Sequence, residues 1–386
     1  MNRRPALVVA AAAMLLGLLA PVPASAEVAD GWDYYRLDTI SPTAIPVSGQ
    51  FTGDDSTDVL AYVPGATTDY LYDFTTRNDY SLHPLSIGGT FTPIVGDFGG
   101  DDYDDIIWYA KGSAPDALWI SDGRGGFRSK PLTINGDYEP MVLADYRDYG
   151  GKDDLLFLGA GAVKDYLWHF TDRSGDDDYV GPGTFASRPL QVNGNYRLVV
   201  GDWTGDAIED VVLYQPGPAK DYRWDSNAAG QFKQTNLAVN GNYTPSTVYQ
   251  TDRDGIFWLG VGAQAEAYWT SNGPGFTSRP IPGVSGGVGT VSPLALGWVM
   301  VLDETGDDLV FEGTATGGAY YTLTSGVHDR TTQRPSLGDF DADGRADVIW
   351  SGPPNPEIWY QAVSAQGAGR RGVAPSKGPS PSGDGR

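Results

Sequence analysis

Short apolar stretches of five or six residues recur along the chain, separated by turns rich in glycine, proline and aspartate, and this pattern predicts strands rather than helices. Over one unit it predicts strands from Phe91 to Asp97, Asp105 to Ala110, Ala117 to Asp122 and Phe127 to Ile134. In the second of these, Ile106, Ile107 and Trp108 put apolar side chains on both faces, as a strand covered on both sides requires. The same arrangement returns as three blocks in fixed order. An acidic loop opens on Gly-Asp-aromatic and runs into an apolar strand, as at Gly96-Asp97-Phe98, Gly201-Asp202-Trp203 and Gly338-Asp339-Phe340. A turn then leads to an acid followed by aromatics, as at Asp116 to Trp119, Asp165 to Trp168 and Asp221 to Trp224. A last turn leads to Pro-Leu-x-Val/Ile-Asn-Gly, as at Pro131 to Gly136 and Pro189 to Gly194.

The residue ending each acidic loop falls at Asp58, Asp105, Asp154, Asp210, Gly255, Asp308 and Asp347, at spacings of 47, 49, 56, 45, 53 and 39 residues. Each unit has room for four short strands, which is the content of one propeller blade. The expectation is therefore all-β: a seven-bladed β-propeller of four-stranded antiparallel blades. The seventh unit stops near Tyr360 after three strands, and the segment Asp33 to Ile40 reads as the strand that completes it, so that the N-terminus closes the last blade.

The sharpest chemistry lies in the last acidic loop. Asp339, Asp341, Asp343 and Asp347 stand at positions 1, 3, 5 and 9, Gly344 makes the turn at position 6, and the carbonyl of Arg345 at position 7 can complete an oxygen shell. Carboxylates so close repel one another unless a cation neutralises them, so the loop reads as a calcium site. The loop lacks the Glu at position 12 of an EF-hand and has strands on either side. A second loop keeps Asp202, Thr204, Asp206 and Asp210, and a third keeps Asp97, Asp101 and Asp105 with Gly99 at position 3. The loop at Gln50, Thr52, Asp54 and Asp58 is weaker, Arg147 stands where its loop needs a ligand, and the loops around Asp252 and Asp303 are shortened.

These loops and the apolar strands after them resemble the FG-GAP, or VCBS-type, repeats of the integrin alpha-subunit propeller and its secreted bacterial relatives, over roughly Asp33 to Tyr360. The resemblance implies calcium in the hairpin between the first two strands of a blade, held at the positions of Asp339, Asp341, Asp343, Arg345 and Asp347. It does not imply one function, because the same propeller serves adhesion, ligand binding and catalysis.

Composition narrows the remaining choices. The 386 residues include no cysteine, which excludes disulfides, thiolate metal sites and a cysteine nucleophile. With 49 acidic against 26 basic residues and a formal charge of −23, the chain lacks the basic footprint that nucleic acid or an anionic membrane requires. Residues 1–26 combine Arg3 and Arg4, the apolar run from Ala6 to Ala20 and the Ala24-Ser25-Ala26 cleavage pattern, which reads as a secretory signal peptide. That run is too short to span a bilayer. Residues 27–364 are assigned to the propeller and 365–386 to a flexible tail. The expected localisation is extracellular, and the expected state is a monomer.

On the face opposite the acidic loops, Asp116, Asp165 and Asp221 recur beside Trp119, Trp168 and Trp224. Carboxylates next to aromatic platforms are the ingredients of a sugar pocket, although repeated aromatics in such a ring also serve as packing. No catalytic constellation stands out. Gly283-Val284-Ser285-Gly286-Gly287 matches a nucleophile elbow but lacks the strand–turn–helix context, and His83, His169 and His328 occupy unrelated positions in their repeats. The sequence therefore supports a calcium-binding module for an extracellular glycan or protein, with a polysaccharide lyase or glycoside hydrolase as the alternative.

Overall fold

The computed structural model describes residues 32–37, 39–65, 68–77, 79–145, 152–159, 163–170, 185–192, 194–281, 289–295, 298–303, 309–314, 317–322, 334–352 and 356–361. Both the signal-peptide segment and the tail lie outside these residues, as do the G-x-S-x-G segment, Arg147 and His328. Among the described residues every regular element is a strand. After β1 (Trp32–Arg36), a first sheet joins β2 (Ile45–Gly49), β3 (Asp58–Tyr62), β4 (Asp69–Thr76) and β5 (Asp79–Leu85). A second joins β6 (Thr92–Gly96), β7 (Asp105–Tyr109), β8 (Asp116–Ser121) and β9 (Phe127–Leu132). The third runs through β10 (Tyr138–Leu143), β11 (Asp154–Gly159), β12 (Asp165–Phe170) and β13 (Phe185–Leu190). The fourth comprises β14 (Arg197–Gly201), β15 (Asp210–Tyr214), β16 (Asp221–Asp225) and β17 (Lys233–Leu237). The fifth follows with β18 (Tyr243–Val248), β19 (Gly255–Gly260), β20 (Ala267–Ser271) and β21 (Phe276–Pro280). A sixth contains β22 (Gly289–Ala295), β23 (Trp298–Asp303), β24 (Leu309–Thr314) and β25 (Gly317–Thr322). In the last, β26 (Arg334–Gly338), β27 (Asp347–Ser351) and β28 (Glu357–Gln361) are completed by β1, which pairs antiparallel with β28 from Trp32↔Gln361 to Arg36↔Glu357.

Each sheet is an antiparallel meander, and its composition follows from strand position. Second strands are largely buried, from end to end in Asp105–Tyr109 and Asp210–Tyr214, because neighbouring sheets cover both faces. Fourth strands alternate half-buried and exposed residues, as in Phe127–Leu132, because they form the outer edge. Proline has no N–H to give to a ladder, and strand prolines stand in the innermost strands (Pro46, Pro93, Pro140, Pro245, Pro293, Pro335) or the outermost ones (Pro84, Pro131, Pro189, Pro280). The two middle strands of every sheet carry none.

Apolar side chains lock each sheet to the next. Phe51, Leu60 and Tyr62 of the first sheet pack with Ile106 and Trp108 of the second, and Ile107 and Leu118 of the second pack with Leu155 and Phe157 of the third. Comparable clusters join the third to the fourth, the fourth to the fifth, the fifth to the sixth, and the last sheet back to the first. The expectation of a seven-bladed ring is corrected at this point. Hydrogen bonding delimits seven sheets, but apolar packing joins them at six junctions among the described residues. What holds is an all-β propeller of four-stranded antiparallel blades.

The Gly-Asp-aromatic motif has a local cause. The aromatic at loop position 2 folds back under the last residue of the innermost strand, so a Cβ at Gly201 would lie 2.6 Å from the Trp203 ring and one at Gly338 would lie 2.7 Å from Phe340. Phe51, Phe98, Trp203 and Phe340 are fully buried as a result.

A second device runs from sheet to sheet. The residue just before the second strand hooks onto loop position 1 of the preceding sheet, donating its N–H to that carbonyl and accepting that residue's N–H on its side chain. Asp104 does so with Gln50 (2.8 and 2.7 Å), Asp153 with Asp97 (2.8 and 2.9 Å), Glu209 with Ala144 (3.0 and 2.9 Å) and Asp254 with Asp202 (2.9 and 2.8 Å). Thr57 closes the same hook onto Asp339 with its hydroxyl (2.7 and 3.0 Å).

Candidate functional site

The three fullest acidic loops share one backbone. Positions 4 and 6 are left-handed in each: Gly100 and Asp102, Gly205 and Ala207, Ala342 and Gly344, with φ between 56° and 82°. This curl lets the position 1 carboxylate cap the loop from within. Asp97 accepts the N–H groups of Gly100, Asp101 and Asp102, and Asp202 accepts those of Gly205, Asp206 and Ala207. Asp339 accepts those of Asp343 (3.0 Å) and Gly344 (2.8 Å). The position 9 carboxylate ties the loop to the sheet, as where Asp210 accepts from Trp203 and Thr204 (both 3.0 Å) and from Ser226 (2.8 Å).

The loops differ in what is left over for a cation. In the 339–347 loop, Asp339, Asp341 and Asp347 bring oxygens within 4.8 Å of one another, and Asp341 Oδ1 is buried without a hydrogen-bond partner. Asp343 turns away, accepting the Arg345 N–H (2.9 Å) and pairing with the Arg345 guanidinium (2.6 Å). In the 97–105 loop Asp105 Oδ2 is also buried without a partner. A Cβ on Gly99 would lie 3.3 Å from that oxygen and 3.4 Å from Asp101 Oδ1, so the carboxylates of positions 5 and 9 converge on the space beside position 3. In the 202–210 loop Asp210 is saturated by N–H groups, the Thr204 hydroxyl lies 3.4 Å from Asp202, and Asp206 accepts from Ile208 (3.2 Å).

Burial, reinforced by neighbouring carboxylates, penalises the charged forms here. It pushes Asp339 up to about 6 and Asp97 and Asp210 up to about 7, and it holds Asp105 well above the usual carboxylate range. In the third sheet Asp154 meets His169 Nδ1 at 2.9 Å, an ion-pair geometry the sequence did not single out.

The repeated Asp and Trp of the opposite face are used by the fold. Asp116 accepts the N–H groups of Ala110 (2.8 Å) and Ile134 (2.7 Å), Asp165 those of Gly159 and Val192 (both 2.9 Å), and Asp221 those of Gln215 (2.8 Å) and Val239 (2.7 Å). Each thereby caps the turn before its own strand and the end of the strand beside it. Trp119 lies edge-on to Trp108 at 5.5 Å, Trp168 stacks on Phe185 at 3.9 Å, and Trp224 sits 5.0 Å from Phe232 and donates Nε1 to Gln234 at 2.9 Å.

On this face the structure opens a recess that sequence reasoning missed. Its volume is about 650 Å³, and its walls come from the second, third and fourth sheets: Lys111, Asp137, Glu139, Asn195, Tyr196 and Gln215. Lys111, Asp137, Glu139 and Asn195 are exposed. The recess shares Lys111, Tyr138 and Glu139 with a cavity of about 870 Å³ lined by β6 and β10, whose far wall holds Asp104, Asp153 and Glu209. Those three acids are engaged in the sheet-to-sheet hooks. The signal available in sequence was the repeated Asn-Gly-Asp/Asn-Tyr connection at Asn135 to Tyr138, Asn193 to Tyr196 and Asn240 to Tyr243.

The fold and these loops define a β-propeller. No family model matches the chain, so the FG-GAP likeness stands as a resemblance of motif, and no curated protein matches it either. Among solved structures, a lectin of Agrocybe aegerita that recognises non-reducing terminal N-acetylglucosamine aligns with a TM-score of 0.49 at 15% identity, covering 85% of this chain and 90% of that one. A likeness this distant says nothing about the ligand of this chain. No helix among the described residues is long and apolar enough to cross a membrane.

Proposed function

We propose that this chain is a secreted, monomeric, calcium-stabilised propeller that acts as a non-catalytic binding module for an extracellular carbohydrate or protein, with the recess between the second, third and fourth sheets as its ligand site. The recess carries the reading. It has the volume of a small-molecule site and offers carboxylates, amides, an ammonium group and a tyrosine within one concavity. Such groups can donate to and accept from several hydroxyls at once, while the repeated Asp and Trp nearby hold the walls in place. Calcium would be held by Asp339, Asp341 and Asp347, with the carbonyl of Arg345 and a contribution from Asp343, and by Asp97, Asp101 and Asp105. The orphaned oxygens of Asp341 and Asp105 fit that role, since an unpaired buried carboxylate oxygen is costly and a divalent cation relieves it. Asp202, Thr204, Asp206 and Asp210 form the weakest of the three sets. Export rests on the signal-peptide pattern of residues 1–26.

A screen of polysaccharides and glycans, read for both retention and depolymerisation, tests the ligand reading. Retention without product is the expected result. Product release would replace it with the lyase or hydrolase alternative, and silence toward every glycan would move the ligand to a protein. With a retained glycan in hand, Glu139→Gln and Asn195→Ala are expected to weaken retention about tenfold each, the size of one hydrogen bond to a charged or buried group, with melting unchanged. Full retention by both variants would place the site elsewhere.

A further inference from the structure

Arg77 stands in the tight turn between β4 and β5 of the first sheet, yet its partners among the described residues belong to the last sheet. Nε donates to Asp341 Oδ2 at 2.9 Å, Nη1 donates to Asp33 Oδ2 at 2.6 Å, and the guanidinium carbon lies 4.9 Å from the centroid of the Tyr360 ring. Those three residues come from the 339–347 loop, from β1 and from β28. The Asp341 side chain is 5% exposed. One of its oxygens is taken by Arg77, and the other is buried without a partner in the cluster it forms with Asp339 and Asp347. Arg77 therefore fixes the rotation of the carboxylate so that Oδ1 turns toward the shared space, and with its second arm it grips the strand that completes the sheet.

We propose that Arg77 is a positioning residue that couples cation binding in the 339–347 loop to docking of the N-terminal strand β1. The inference rests on the calcium reading of that loop. A rigid planar fork is needed, since the two carboxylates are held by different nitrogens of one guanidinium, a task a single ammonium cannot reproduce. A related contact exists at another loop, where Arg253 donates Nε to the Thr204 carbonyl at 3.0 Å, but there the cationic side chain holds backbone rather than a ligand carboxylate.

The test follows the bond after Arg36, at the exposed end of β1, by limited trypsin digestion of the secreted chain across a calcium titration. For the wild type, protection is expected to rise with calcium. Arg77→Met should need about tenfold or more calcium for half-protection, the usual effect of losing a group that orients a metal ligand. Arg77→Lys should follow it, because charge without the fork does not position Asp341. Asp33→Asn, which leaves the Arg77 to Asp341 bond in place, should cleave faster at every calcium level and shift the midpoint in the same direction by less. It carries the test if the Arg77 variants fail to fold. An unchanged or lowered midpoint in Arg77→Met, or wild-type behaviour in Arg77→Lys, overturns the coupling alone. A wild type that neither binds calcium nor changes its cleavage overturns the calcium reading and the coupling together.

Discussion

On the proposed calcium reading, chelation is expected to lower the melting temperature of the chain, and added calcium to restore it. A ligand that binds only the folded state stabilises it by about 2.7 kcal/mol per site at a hundredfold excess over its dissociation constant, so two or three occupied loops give one of the largest effects any single change can produce here. The loop geometry orders the variants. Asp341→Ala removes an oxygen of the converging set and should abolish the contribution of the 339–347 loop, whereas Asp343→Ala removes a carboxylate already paired with Arg345 and should cost less. A melt unaffected by rigorous chelation sinks the calcium reading.

Acidity gives the same experiment a second axis. Burial raises Asp58 to about 8, Asp97, Asp210 and Asp254 to about 7, and Asp104 and Asp339 to about 6, all from 3.8. A carboxyl whose folded value lies above its unfolded value binds more protons when folded. Its stabilising contribution is complete below the unfolded value and is lost as pH rises through the folded one. The chelated chain should therefore melt higher near pH 5 than near pH 8. Saturating calcium favours the ionised forms of Asp97 and Asp339 and should flatten that slope. A chelated chain that gains stability with rising pH over this window contradicts the assignment.

The second large effect concerns the fold. Asp116→Ala leaves the buried N–H groups of Ala110 and Ile134 without their acceptor, at about 1–3 kcal/mol each, and should lower the unfolding free energy by about 2–6 kcal/mol in a denaturant titration. Asp116→Asn keeps one acceptor oxygen and should lose about half of that. If Asp116→Ala melts like the wild type but loses ligand retention, the residue serves a binding site instead.

Much of this architecture could be read from residue order. Each repeat is a local meander, and its turns are specified by nearby residues, so the strands predicted at 105–110 and 127–134 appear as Asp105–Tyr109 and Phe127–Leu132. The acidic loops were legible for the same reason, since all their carboxylates lie within nine residues. Packing between sheets was not, because it joins residues about fifty positions apart, and the seven-blade count inferred from the repeats is the part that needed correction. The hooks were hidden in the same way. Nothing in the order of residues around Asp104, Asp153, Glu209 and Asp254 marks the grip that each has on the previous sheet. The recess drew its walls from connections of three sheets, where Asp137 and Asn195 share the Asn-Gly-Asp/Asn-Tyr turn but Lys111 and Gln215 lie outside it. At Asp116 and Trp119 the sequence offered both packing and a sugar pocket, and residue type alone could not separate them.

The hooks also give the propeller a direction. Among the described residues five sheets each hang from the one before, so tension passes along these links in one rotational sense. Four described links end in a carboxylate, and the fifth, at the seam where the first sheet meets the last, ends in the Thr57 hydroxyl. A neutral acceptor makes the weakest link of the series, and it sits beside both Arg77 and the 339–347 loop. Pulling on the N-terminus should therefore part the molecule at this seam first, leaving the remaining sheets as an intact arc, and a circular permutant with its ends moved to a carboxylate link should withstand a greater load.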